Sequence, residues 1–183
     1  MSSKIIFIIG GARSGKSSFA LNEASKIKGQ KAYIATAEAL DSEMKVRIER
    51  HKKDRGNNWD TYEEPLKISD VLSDIKTKYD VVVIDCLTLW LSNLMHSNKD
   101  IKSEIESFCS SLSTFHCPLF TVSNEVGMGI VPDNEIAREF RDMTGVLNQK
   151  IAEIADEVYV VTAGIPIKIK YQKSKIKIEE DKI

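Results

Sequence analysis

Residues 10–17 read Gly10-Gly11-Ala12-Arg13-Ser14-Gly15-Lys16-Ser17, the spacing G-x-x-x-x-G-K-[ST]. Glycines let main-chain N–H groups converge on phosphate oxygens, and the amino end of a following helix adds partial positive charge. Lys16 can then reach the β and γ phosphates, and the Ser17 hydroxyl can ligate a Mg2+ that bridges them. The motif directly follows the apolar run Ile5–Ile9 and directly precedes a helical segment, which is the context this chemistry needs. The expected ligand is a nucleoside triphosphate, the competing reading being a glycine-rich turn that binds nothing. Such a Mg2+ wants a carboxylate as well, and Asp85 closes the run Val81-Val82-Val83-Ile84 at a strand's carboxyl end, as a Walker B aspartate does. The alternative for Asp85 is a cap on the turn that follows, and Asp80 reads as a turn residue at the strand's entry.

A second constellation lies on a helical segment. Arg47, His51 and Arg55 recur every four residues, so one stripe would carry two guanidinium groups around an imidazole. An imidazole nitrogen held there could attack an α-phosphorus while the arginines stabilise charge on the transferring group, giving a covalent phosphoramidate. The other reading is a solvated helix face with an incidental histidine, and helical spacing does not decide between them. His96 and His116 are assigned no chemistry.

These groups need a scaffold, and the alternation of β-branched runs with segments of helical period predicts one. The expected fold is α/β: a single P-loop NTPase-type domain over residues 1–170, with a mostly parallel central sheet flanked by helices. Expected strands are Ile5–Ile9, Ala32–Thr36, Val81–Asp85, Leu119–Ser123 and Val158–Thr162, with Ile165–Lys170 as an antiparallel edge strand after the short link Ala163-Gly164. Expected helices carry Ile101, Ile105, Phe108, Leu112 and Phe115, then Ile136, Phe140, Met143, Leu147, Ile151 and Ile154. A third opens with Pro65 and faces inward through Ile68, Val71, Leu72 and Ile75, and a fourth runs from about Asp41 to Asp54 and stops near Gly56. Residues 171–183 form a charged tail of different composition.

Composition narrows the function classes. At 183 residues, 42% hydrophobic and 29% charged, the chain has the make-up of one folded domain. With 26 Lys+Arg against 27 Asp+Glu the net charge is −1, so no overall field favours nucleic acid, and any anion site must be local. The run Ile5–Ile9 is too short for a membrane span or a signal-peptide core, and three cysteines without a C-x-x-C pair support neither disulfides nor a zinc site; both point to the cytoplasm. Trp59 and Trp90 read as core anchors rather than base-stacking platforms.

Beyond these residues the chain closely resembles one family, the bifunctional adenosylcobinamide kinase/adenosylcobinamide-phosphate guanylyltransferase of cobalamin biosynthesis. The resemblance covers about Ile5 to Lys170 and runs through the P-loop, Tyr33-Ile34-Ala35-Thr36-Ala37, then Asp41, Glu43-Met44, Arg47-Ile48, His51, Arg55, Trp59 and Glu63. It continues at Asp85-Cys86-Leu87-Thr88-Leu89-Trp90, Asn93, Asn124-Glu125-Val126-Gly127-Met128-Gly129-Ile130-Val131-Pro132, Phe140-Arg141-Asp142, Gly145, Asn148-Gln149 and Ala155-Asp156-Glu157-Val158. The helix histidine followed by the Asn-Glu-Val-Gly loop in this order is highly specific.

The resemblance implies phosphorylation of the aminopropanol hydroxyl of adenosylcobinamide by ATP or GTP. It implies next a transfer of GMP from GTP onto that phosphate, through guanylylated His51, with pyrophosphate released. It implies nucleotide contacts at residues 10–17, Thr36-Ala37-Glu38, Lys52-Lys53-Asp54-Arg55, Glu63 and Asp85, Mg2+ at Ser17 and Asp85, and a homotrimer. Glu63 could pair with the N1 and N2 donors of guanine. Two rival readings are a plain P-loop small-molecule kinase, which needs Lys16, Ser17 and Asp85 but no histidine, and a GTP-dependent switch. The latter is weakened by the lack of an Asn-Lys-x-Asp guanine signature.

Overall fold

The computed structural model describes residues 4–39 and 42–170, apart from the side chains of Arg47 and Asp54. Asp41 and the tail expected over residues 171–183 lie outside the described residues. In chain order the elements are β1 (Ile5–Gly10), α1 (Lys16–Ser25), β2 (Lys31–Ala35), α2 (Ser42–Arg55), β3 (Asp60–Glu63), α3 (Ile68–Asp74) and β4 (Val81–Asp85). There follow α4 (Leu87–Met95), α5 (Ile101–Ser113), β5 (Leu119–Asn124), α6 (Glu135–Ile154), β6 (Glu157–Thr162) and β7 (Ile165–Lys170). They form one seven-stranded sheet in the order β3-β2-β4-β5-β1-β6-β7, parallel except for β6 with β7.

Side chains alternate across the sheet, so each strand feeds two cores. Phe7, Ile34 and Ile84 join Leu87, Trp90, Phe108 and Leu147 on one face, while Ile6, Ile8, Val83 and Val122 meet Ala20 and Ala24 of α1 on the other. Trp90 is fully buried, and its indole N–H donates to the Leu66 carbonyl at 2.8 Å. Asp100 caps α5 through the N–H groups of Lys102 and Ser103, and Asn134 caps α6 through that of Ala137.

Several expectations are corrected. β3 was not anticipated: Asp60-Thr61-Tyr62-Glu63 has no apolar run, and it pairs with β2 at the sheet's edge mainly through its backbone. α4 was not marked out as a helix either, because Leu87-Thr88-Leu89-Trp90-Leu91 is apolar on nearly all sides, as a buried helix is. Pro65 precedes α3 rather than opening it, since the Glu64 carboxylate takes the N–H groups of Leu66 and Lys67 and holds that stretch as a turn. β2 stops at Ala35, and α5 stops at Ser113 with Phe115 buried just beyond it. Ile136 is 68% exposed instead of inward. A helix of 20 residues spans about 30 Å against about 20 Å for a six-residue strand, so the first turn of α6 overhangs the sheet.

The β6–β7 hairpin turns on Ala163 (φ 49°) and Gly164 (φ 79°), a two-residue link whose positive φ values match the twist of the strands. This turn packs against residues 10–15. Gly164 donates its N–H to the Ser14 carbonyl at 2.9 Å, and a Cβ on Gly10 would lie 2.4 Å from the Val161 carbonyl oxygen. Gly10→Ala is therefore expected to cost about 1–3 kcal/mol by overpacking against rigid backbone, lowering Tm by about 3–10 °C. Gly11, whose Cβ would meet nothing within 4 Å, is the control: Gly11→Ala should move Tm by no more than about 1–2 °C in the same thermal melts.

Glu157 closes the other end of this hairpin, pairing with Lys4 and with Lys168 at 2.7 Å and accepting from the Tyr159 hydroxyl at 2.8 Å. Burial alone would raise its carboxyl, but the hydrogen bonds from Lys168, Lys4 and Tyr159 outweigh burial and hold it at about 2. A lowered folded-state value stabilises above the unfolded value and loses that contribution as the pH falls toward the folded one. Glu157→Gln should thus be less stable by about 1–2 kcal/mol at neutral pH after allowing for solvent screening. In denaturant melts the gap from wild type should close between the ordinary 4.5 and about 2.

Candidate active site

The cleft opens at the carboxyl ends of the parallel strands, where β1 sits at the reversal of strand order, the usual place for a ligand in an open α/β sheet. After Gly10 the chain turns through Arg13 (φ 57°) and Gly15 (φ 94°) into α1. Gly15 occupies the N-cap, so no side chain caps the start of α1, the end of a helix toward which an anion is drawn. Gly10, Ser14 and Lys16 are buried, Gly15 and Ser17 half-buried, and Gly11, Ala12 and Arg13 exposed. The Lys16 ammonium donates to the Gly11 carbonyl at 3.1 Å, inside the loop. Among the described residues the buried Ser14 hydroxyl has no partner, a polar atom that a phosphate oxygen could satisfy.

Asp85 ends β4, two strands from β1, with β5 and its last residue Asn124 between them. Lys16, Ser17, Asp85 and Asn124 line one cleft with His51, Lys52 and Arg55 from α2 and Ala37 from the segment after β2. His51 is half-buried in that lining, so of the two readings left open for the Arg47–His51–Arg55 stripe the described imidazole and Arg55 face the cleft. The side chains of Arg47 and Asp54 lie outside the described residues, and Lys53 and Glu38 are exposed.

Thr36 lies beneath the cleft as a fully buried tether. Its hydroxyl donates to the Cys86 carbonyl at 2.7 Å and accepts the Cys86 N–H at 2.8 Å, while its main-chain N–H donates to the Asp85 carbonyl. Asn93 donates to the Thr36 carbonyl from α4. Glu63, at the end of β3, pairs with Lys52 and flanks a shallow depression shared with Arg55 and Thr61.

Tyr33 was not singled out as a site residue, and it lines the cleft. Its hydroxyl donates to Asp85 Oδ2 at 2.8 Å, the Arg55 guanidinium lies 3.9 Å above its ring, and Trp59 meets that ring edge-on at 6.4 Å. Burial raises the phenol well above its ordinary value and the Asp85 carboxylate adds to this, so Tyr33 remains a donor. Its sequence signals were its place in the family-like stretch Tyr33-Ile34-Ala35-Thr36-Ala37 and its position on β2, two residues from the strand end and facing the same side as Ala35.

Ser17 and Asp85 offer one hydroxyl and one carboxylate, hard oxygen donors suited to Mg2+ together with phosphate oxygens. Asp85 Oδ2 accepts the Tyr33 hydroxyl. No group of three His, Cys, Asp or Glu able to hold a metal occurs among the described residues, and a Mg2+ bound through phosphates requires none. The three cysteines are free thiols; burial raises all of them, Cys86 beside the cleft to about 12, which makes it a poor nucleophile.

Among solved structures the chain resembles an ATPase from the type III secretion system of pathogenic bacteria. That likeness has a TM-score of 0.56 and 10% identity over 94% of this chain and 57% of that one, and shows the fold alone. The bifunctional adenosylcobalamin biosynthesis protein CobU of Escherichia coli (strain K12) is 36% identical over 184 residues, covering 91% of this chain and 99% of the relative. CobP, the bifunctional adenosylcobalamin biosynthesis protein of Pseudomonas aeruginosa, is 39% identical over 165 residues, covering 89% of this chain and 95% of the relative. The profile of the cobinamide kinase / cobinamide phosphate guanyltransferase family matches residues 6–169, and with a P-loop and an α2 histidine sharing one cleft, the chain belongs to that family.

Proposed function

We propose that this chain phosphorylates adenosylcobinamide with ATP or GTP and then transfers GMP from GTP to that phosphate, in cobalamin biosynthesis. The observation that carries the reading is that His51 lines the same cleft as Lys16, Ser17 and Asp85. The family match and the bifunctional relatives support both reactions. Residues 10–17 cradle the phosphates, and Ser17 and Asp85 would hold the Mg2+, which when bound would neutralise charge on the phosphate groups. In the kinase step the acceptor hydroxyl oxygen attacks the γ-phosphorus and gives its proton to solvent, the bond to the β-phosphate oxygen breaks, and the nucleoside diphosphate leaves with Lys16 balancing the charge that collects on it.

In the second reaction an imidazole nitrogen of His51 attacks the α-phosphorus of GTP, the α–β phosphoanhydride breaks, and pyrophosphate leaves. The phosphate of adenosylcobinamide phosphate then attacks the same phosphorus, the P–N bond breaks, and His51 is restored. Arg55 and Lys52, lining the cleft beside His51, stabilise the charge that builds on the transferring group. Thr36, Ala37, Glu38, Lys53, Asp54 and Glu63 complete the proposed nucleotide contacts; Thr36 would act through its tether to Cys86 and Glu63 through its pair with Lys52. The reading places the work in the cytoplasm, and no helix among the described residues is long and apolar enough to cross a membrane.

With α-labelled GTP the wild type should acquire an acid-labile, base-stable label that His51→Ala abolishes while sparing most of the phosphorylation of cobinamide. Lys16→Ala should slow both half-reactions by about a hundredfold or more. An unlabelled wild type would leave only the kinase.

The same reading includes a homotrimer, for which Met128, Ile130 and Val131, 89%, 98% and 58% exposed on the loop after β5, provide apolar surface. Sedimentation velocity should give three times the 20.6 kDa chain mass, and a monomer at micromolar concentration would remove this part.

A further inference from the structure

Tyr33 touches both halves of the proposed chemistry. Its hydroxyl is hydrogen-bonded to the carboxylate that ends β4, and its ring carries the guanidinium that ends α2, the helix that bears His51. The phenol is itself held: the residue is 3% exposed, Trp59 packs edge-on against the ring, and the strand beneath is paired on both sides, with β3 and with β4. α2, by contrast, buries none of its described residues, so its seat depends on a few contacts such as Arg55 on Tyr33 and Lys52 with Glu63.

We infer that Tyr33 is a positioning residue for both reactions, its hydroxyl aiming the Asp85 carboxylate and its ring seating Arg55 so that α2 presents His51 to the cleft. The inference rests on the two-reaction reading above. The two roles belong to different parts of one side chain and are separable. A hydrogen bond to a carboxylate fixes which oxygen is left for a cation, and it disappears when only the hydroxyl is removed. A guanidinium over an aromatic face needs the ring alone.

The test compares Tyr33→Phe with Tyr33→Leu in the full chain. Mn2+ binding is read by electron paramagnetic resonance in the presence of α,β-methylene GTP, which cannot guanylylate the protein. Guanylylation of His51 is read separately with α-labelled GTP in single turnovers at saturating metal. Wild-type labelling comes first, because its absence would refute the two-reaction reading and not this inference. Tyr33→Phe should weaken Mn2+ binding by about tenfold yet label His51 at a rate within about twofold of wild type, since the ring still carries Arg55.

Tyr33→Leu should weaken Mn2+ equally and also slow labelling by about tenfold, and adding Arg55→Ala to it should slow labelling no further than Arg55→Ala alone. Unchanged Mn2+ affinity in Tyr33→Phe, or equal labelling by the Phe and Leu variants, would overturn the inference. So would a lowered Tm with both rates reduced alike, which is what a purely structural tyrosine would give. If Tyr33→Leu does not fold, Tyr33→Met decides the second role in the same cycle: labelling slowed about tenfold, with no further loss on adding Arg55→Ala beyond that of Arg55→Ala alone, supports it, and a wild-type labelling rate overturns it.

Discussion

The backbone of Gly10 lies so close to the carbonyl of Val161 that a Cβ would have no room, and the next hairpin turn hydrogen-bonds the loop from the same side. This contact sets where the phosphate cradle can be. A nucleotide loop of glycines is conformationally permissive by composition, and unless something outside restrains it the convergence of its N–H groups must be bought from binding energy. Here the restraint comes from β6 and β7, the last elements of the described chain. Gly164 donates to Ser14, Glu125 donates to Gly10 from the other side, and α1 begins at a glycine whose φ of 94° excludes most side chains. The P-loop is thus gripped between β5 and the hairpin turn before any ligand arrives.

Charge is handled in the same local way. The chain as a whole is nearly neutral, yet Lys16, Lys52, Arg55 and His51 converge on one cleft in which Asp85 is the only carboxylate among the described lining residues. A triphosphate entering there meets cations and uncapped N–H groups rather than a general positive field, so the attraction is short-ranged and specific to the site. The Lys16 ammonium, seated on the Gly11 carbonyl, already lies where phosphate oxygens would compete for it.

The parts of this arrangement that depend on one stretch of chain were legible in the sequence. The P-loop is contiguous, its strand and helix flank it directly, and the continuous apolar run of Val81–Ile84 announces a buried parallel strand. What was not legible depends on partners distant in sequence. β3 is visible only once β2 exists to pair with it, because four residues of mixed polarity carry no period. Thr36 looks like a strand-end ligand contact until Cys86, 50 residues away, is seen to engage its hydroxyl and Asp85 its main-chain N–H. Tyr33 reads as one more β-former until Asp85 and Arg55 are seen on it. The helical stripe Arg47–His51–Arg55 was ambiguous for a related reason: spacing says which residues share a face but not what that face looks toward, and only the placement of α2 over the cleft answers that.

That placement has an energetic consequence. A helix normally docks by burying an apolar stripe, each large side chain contributing about 1.5–3 kcal/mol, and α6 does so through Leu147 and Ile151. α2 has Met44 and Ile48 half-buried toward the cleft, and its contacts include Arg55 on Tyr33 and Lys52 with Glu63. Contacts of this exposed polar kind are worth on the order of 1 kcal/mol each. The groups that hold α2 in place are therefore the groups that would meet phosphate, and the free energy separating one seat of the helix from another is comparable to what a bound nucleotide can supply. The sheet and P-loop are built to stay put, and the histidine is carried by a helix held in part by contacts that charge can adjust.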